Sequence, residues 1–122
     1  MGLDGTIKRV DGKPLGPVSI VQQALVETFP GVSIGRSPSG AEKIKAAADQ
    51  GIFFPEVLRQ HMESALAHVN GNYESSEFSA EFNLGSSEIV EQVDVVLYGK
   101  TVASEPMFAQ LKSKYGWITT HP

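Results

Sequence analysis

From Tyr73 to Gly99 apolar and polar side chains alternate so regularly that one structure dominates the reading: a long antiparallel β-hairpin with a single buried side. Phe78, Ala80, Phe82 and Leu84 occupy the even positions, against Ser75, Glu77, Ser79, Glu81 and Asn83 on the odd ones. Gly85-Ser86-Ser87 reads as the turn, after which Ile89, Val93, Val95 and Leu97 continue the apolar side. Successive side chains in a strand point to opposite faces, so a period of two marks a strand half in the core. Cross-strand pairing then has to respect that parity. A tight turn at Ser86-Ser87 puts Glu81 opposite Gln92 and Asp94 opposite Ser79. The competing register sets Asp94 against Glu77, a like-charge pair that costs stability.

The rest of the chain alternates short strands with helical patterns. Thr6 to Val10 reads as a strand ended by an Asp11-Gly12 turn, and Lys13-Pro14-Leu15 as a brief returning arm. Gly16-Pro17 opens a helix whose apolar stripe is Ile20, Val21, Ala24, Leu25 and Phe29. A short strand at Val32 to Gly35 precedes Ser39-Gly40-Ala41-Glu42, a capping box that starts a second helix running to about Gln50. Ile52, Phe53 and Phe54 are core candidates before Pro55. Leu58, Met62, Ala65, Leu66 and Val69 then repeat at helical spacing, closed by Asn70-Gly71-Asn72. Ser104 is the expected N-cap of a last helix lined by Met107, Phe108, Leu111 and Tyr115, with Gly116 as its stop and Trp117 to Thr120 as a final strand. The resulting order, roughly β-α-β-α-α-β-β-α-β, predicts an α+β fold. We expect a single domain, residues 1–122, with a mainly antiparallel sheet built around the hairpin at about 73–99 and three to four helices packed on one face.

Composition narrows the function classes. The chain has 122 residues and no cysteine, so thiolate chemistry, disulfides and zinc–thiolate sites are excluded. No segment is long and apolar enough to span a bilayer, which leads to the expectation of a cytoplasmic protein without a membrane partner. The net charge is −4, and it is uneven: residues 1–60 carry seven Lys/Arg against six Asp/Glu, residues 61–122 three against eight. No basic residue falls between Arg59 and Lys100. Such a segment repels a phosphate backbone, so nucleic acid is not an expected partner.

Five groups of residues are weighed as sites. At Arg36, Ser37, Ser39, Gly40 and Lys43 a helix start with a nearby guanidinium offers an anion site for a small ligand; the plainer reading is a capped helix beside a solvated arginine. His61 and His68, seven residues apart on the expected third helix, lie two turns from each other, too far for one metal. Glu91 breaks the hairpin pattern on its apolar side, and a carboxylate there can act as an acid or base, alone or with one of the histidines. Its plainer reading is a position near the turn where the sheet runs out into water. Glu77, Glu81 and Asp94 form a triangle whose separations are too wide for a metal, and neither metal nor cofactor is expected. Val90, Val96 and Tyr98 stand on the polar side of the second strand, where apolar side chains suggest an interface.

Two functions follow from these groups. The first is a non-enzymatic binding module that forms a homo-oligomer through its sheet, with Val96 and Tyr98 at the contact. The alternative is a small cofactor-free acid–base enzyme or hydrolase for an anionic small molecule, using Glu91 with His61 or His68 and the Arg36 region as an anion clamp.

Overall fold

The computed structural model describes residues 2–121. Its principal sheet has six antiparallel strands: β1 (Leu3–Arg9), β3 (Ser33–Ser37), β4 (His68–Glu74), β5 (Phe78–Gly85), β7 (Val93–Gly99) and β8 (Trp117–Thr120), in the order β3-β4-β5-β7-β1-β8. A separate two-stranded ribbon pairs β2 (Gly16–Pro17) with β6 (Ile89–Val90). The four helices are α1 (Val18–Thr28), α2 (Gly40–Asp49), α3 (Glu56–Glu63) and α4 (Glu105–Tyr115). This is the α+β class that the alternation and the helical stripes imply.

The hairpin's alternation fixes where the core lies. Phe78, Ala80, Phe82 and Leu84 of β5 and Val93, Val95 and Leu97 of β7 are all buried. Helix α1 lays Val21, Ala24 and Leu25 on them, with Phe29 just beyond its end, and α4 adds Leu111. Phe29 is the centre of the aromatic packing, its ring 5.4 Å from Tyr73, 4.9 Å from Phe82 and 5.6 Å from Phe108. Burial of these side chains is the main stabilising term. Tyr115 ties the two covering helices together, its hydroxyl donating to Glu27 at 2.9 Å.

Both registers anticipated for the hairpin are replaced by a third. Glu81 stands opposite Val96, Asp94 opposite Asn83, and Ser79 opposite Tyr98. The connection is longer than a tight turn, because β6 leaves β5 to pair with β2, and Leu15 donates its amide to the Val90 carbonyl at 2.8 Å. The chain returns to β5 only at Asp94, so the parity of the alternation survives while the pairing slides.

The detour also exchanges two side chains. Ile89 is 50% exposed and Val90 only 1%, the reverse of the expected alternation. Glu91 and Gln92 lie between β6 and β7, where the inward set shifts from even to odd positions. Val90 therefore belongs to the core, and Glu91 is exposed, not turned into it.

The expected third helix is cut short. It stops at Glu63, and His68 to Glu74 form β4, paired with β3 on one side and β5 on the other. At the break Ser64 donates its hydroxyl to the His61 carbonyl, while the Ala65 carbonyl accepts from the Gly40 amide. Two rows of ladder hydrogen bonds outweigh a helical stripe that is only a weak preference. Helices α2 and α3 make their main packing contact with each other and form an arm between the neighbouring strands β3 and β4. Apart from Gly40, neither helix has a buried residue. Ile52 and Phe53, expected in the core, are exposed on this arm.

Candidate functional site

Cross-strand partners share a face, so the register gives the composition of the side of the sheet away from α1 and α4. From β3 it takes Ser33, Gly35 and Ser37; from β4, His68, Asn70, Asn72 and Glu74; from β5, Ser79, Glu81 and Asn83; from β7, Asp94, Val96 and Tyr98; from β1, Asp4, Thr6 and Lys8; and from β8, Ile118 and Thr120. None of these residues is buried. Four carboxylates answer to one lysine across this surface. Val96 is half-buried and Tyr98 is 37% exposed, and the backbone of Gly2 lies against both. The Tyr98 hydroxyl is a long 3.5 Å from the Glu81 carboxylate. Partial desolvation, then the nearby Glu81 and Asp4 charges, raise the Tyr98 hydroxyl above its ordinary pKa. Beside this pair a depression of about 440 Å³ opens between Asn70, Asn72, Glu81, Asn83, Asp94 and Val96.

The carboxylate triangle does not form in the anticipated way. Glu77 lies before β5, and Glu81 and Asp94 have Val96 and Asn83 as their partners. Among the described residues no group of three or more His, Asp or Glu is placed to hold a metal ion.

At the anion candidate the chain supplies its own carboxylate. Arg36 makes two hydrogen bonds to Glu42, at 3.2 and 2.9 Å. Glu42 also accepts from the Ser39 amide at 2.8 Å, while its own amide donates to the Ser39 hydroxyl at 3.2 Å. This is the capping box read from the sequence, extended by a guanidinium. The Gly40 amide donates to Ala65, and the Lys43 amide to the Ser39 carbonyl. Ser37 accepts from Asn70 at 3.2 Å. Most donors gathered at this helix start are thus engaged within the chain, and the Lys43 side chain is exposed. Arg36, then the Ser39 amide, hold the Glu42 carboxyl below its ordinary pKa.

The acid–base candidates are dispersed over the fold. His61 is exposed on α3, and His68 begins β4, half-buried, with Nδ1 3.4 Å from the Leu66 carbonyl. They do not share a helix. Ser37 pairs with His68 and Arg36 with Val69, so alternation sends Arg36 and His68 to opposite sides of the sheet. Glu91 lines a separate depression with Asn83, Ser86, Gln92 and Asp94, and neither histidine borders it.

Sequence reasoning passed over Asn70 and Asn72 because a helix was expected to end there. The strand pattern was present: His68, Asn70, Asn72 and Glu74 alternate with Val69, Gly71 and Tyr73. The chain matches no protein-family model, and neither a curated protein nor a solved structure matches it. No helix among the described residues is long and apolar enough to cross a membrane.

Proposed function

We propose that the protein is a non-enzymatic interaction module that self-associates through the uncovered face of its six-stranded sheet. The observation that carries this reading is the placement of Val96 and Tyr98. Two apolar-bodied side chains, Val96 in the central row and Tyr98 in the row next to the strand end, stand beside the Gly2 backbone on a broad face to which neither α1 nor α4 contributes cover. An aromatic residue beside a β-branched one, ringed by polar groups, has the composition of an interface centre with its rim. The shallow relief and mixed polarity of the face suit a protein surface better than a small enclosed ligand.

Light scattering across a concentration series tests the reading. The wild-type protein is expected to rise above the mass of one chain, and Tyr98→Ser to return it to one chain without altering its far-UV spectrum. A wild-type protein that stays at the mass of one chain at the highest concentration would overturn it.

A further inference from the structure

On the covered side of the sheet, the first turn of α4 stands over a gap. Glu105 and Phe108 are three residues apart, so one side of the helix carries a carboxylate and a ring together. Leu3 faces Leu97 and Thr119 faces Ile7 across the ladders, which turns Leu3, Leu97 and Thr119 to the side on which Ile7 is buried. Between helix and sheet lies a cavity of about 350 Å³, with apolar walls from Leu3, Leu97 and Phe108 and polar ones from Glu105, Thr119 and His121. That volume is near the lower end of the range for small-molecule pockets, about 300–1,000 Å³.

The three polar residues are alike in having an atom left to accept a hydrogen bond. His121, two residues on from Thr119, lies over Gly5, where a Cβ would come within 2.7 Å of its Nδ1. The absent side chain is what makes room for the ring. Nδ1 is 3.0 Å from the Asp4 carbonyl, an oxygen that can only accept, so Nδ1 holds the hydrogen and the neutral ring keeps its lone pair on Nε2. Glu105 is exposed and makes no ion pair among the described residues. The Thr119 hydroxyl is buried without a hydrogen-bond partner among the described residues, an uncommon state for such a group. A turn about χ1 between staggered positions redirects a threonine hydroxyl, so a donor entering the cavity can engage it.

We infer that this cavity binds a small primary amine with an apolar body. An ammonium group has three N–H donors and no acceptor. Glu105, His121 Nε2 and Thr119 Oγ1 supply three acceptors, one of them charged. The body rests on Leu97 and Phe108 and is stabilised there by leaving water. A carboxylate in the same place would meet Glu105 and be repelled. The site is on the opposite side of the sheet from Val96 and Tyr98, so it stands whether or not the chain self-associates.

Phenethylamine is the probe, with phenethyl alcohol and hydrocinnamate carrying neutral and anionic heads on a similar body. Followed by amide NMR, the amine is expected to give saturable shifts at Leu97, Phe108, Thr119 and His121. It should bind about tenfold more tightly than either of the others. Glu105→Gln should weaken it by about tenfold, the loss of one charge-assisted hydrogen bond. Glu88→Gln removes the same charge at another exposed position and should change nothing. Thr119→Val should weaken amine binding while leaving the melting temperature unchanged or raised, because the hydroxyl it removes has no partner. No saturable shift at millimolar amine would overturn the proposal. Equal binding of the three probes would also overturn it, as the sign of an apolar hollow that does not select a head group. Equal weakening by Glu105→Gln and Glu88→Gln would do the same, by assigning the preference to the charge of the whole chain.

Discussion

Gly40 and Met62 meet backbone to backbone at the base of the arm. A Cβ at residue 40 would overlap the Met62 carbonyl oxygen, and the Gly40 amide reaches past it to the Ala65 carbonyl at 2.9 Å. Only a residue without a side chain lets the start of α2 cross the end of α3 at this separation.

Gly40→Ala is therefore expected to cost about 1–3 kcal/mol, as overpacking against rigid backbone does. Gly35→Ala is the control, since a Cβ there meets nothing within 4 Å. Chemical denaturation measures both, and hydrogen exchange should place the loss in residues 40–65. Equal effects from the two substitutions would refute the crossing as its cause.

Acid is expected to loosen the start of α2 before the sheet. The folded-state pKa of Glu42 is depressed, chiefly by Arg36, from an ordinary value of 4.5. A carboxyl of that kind contributes stability in full above its unfolded pKa and loses it as the pH falls through the lower folded value. NMR shifts of Ser39 to Lys43 should therefore move below pH 4.5. Glu42→Gln should abolish that local transition and leave Phe82 and Val95 unmoved. Coincident titration of arm and sheet would count against it.

The exchange of Val90 for Glu91 can be read directly by a pair of substitutions. Val90→Thr keeps the shape and buries a hydroxyl, at a cost of about 1–3 kcal/mol. Glu91→Gln, at an exposed position, should stay within about 0.5 kcal/mol. Urea midpoints decide between this and the simple alternation, which gives the opposite order.

The sheet face, the α1 stripe, the capping box and the last helix with its following strand were legible because each is written in local periodicity. Phe78 to Leu84 needs no partner to declare its parity. What escaped depended on pairing between distant segments. The hairpin register was set by residues 16–17, which draw Ile89 and Val90 away from β5. Helix α3 ended early because β3 and β5 claim residues 68–74. The pairing of Arg36 with Glu42, six residues on, depends on how the chain turns from β3 into α2, which no local pattern states. Phe53 looked like core because hydrophobicity was visible and its surroundings were not.

The arm leaves the sheet at the end of β3 and rejoins it at the start of β4, and those two strands are already neighbours. It lends almost nothing to the core. A short loop in its place would turn β3 and β4 into an ordinary hairpin, so the domain carries its arm as a detachable graft. The ladder between β3 and β4 holds its register without help from the segment that joins them, so that segment can be exchanged while the sheet beneath keeps its shape.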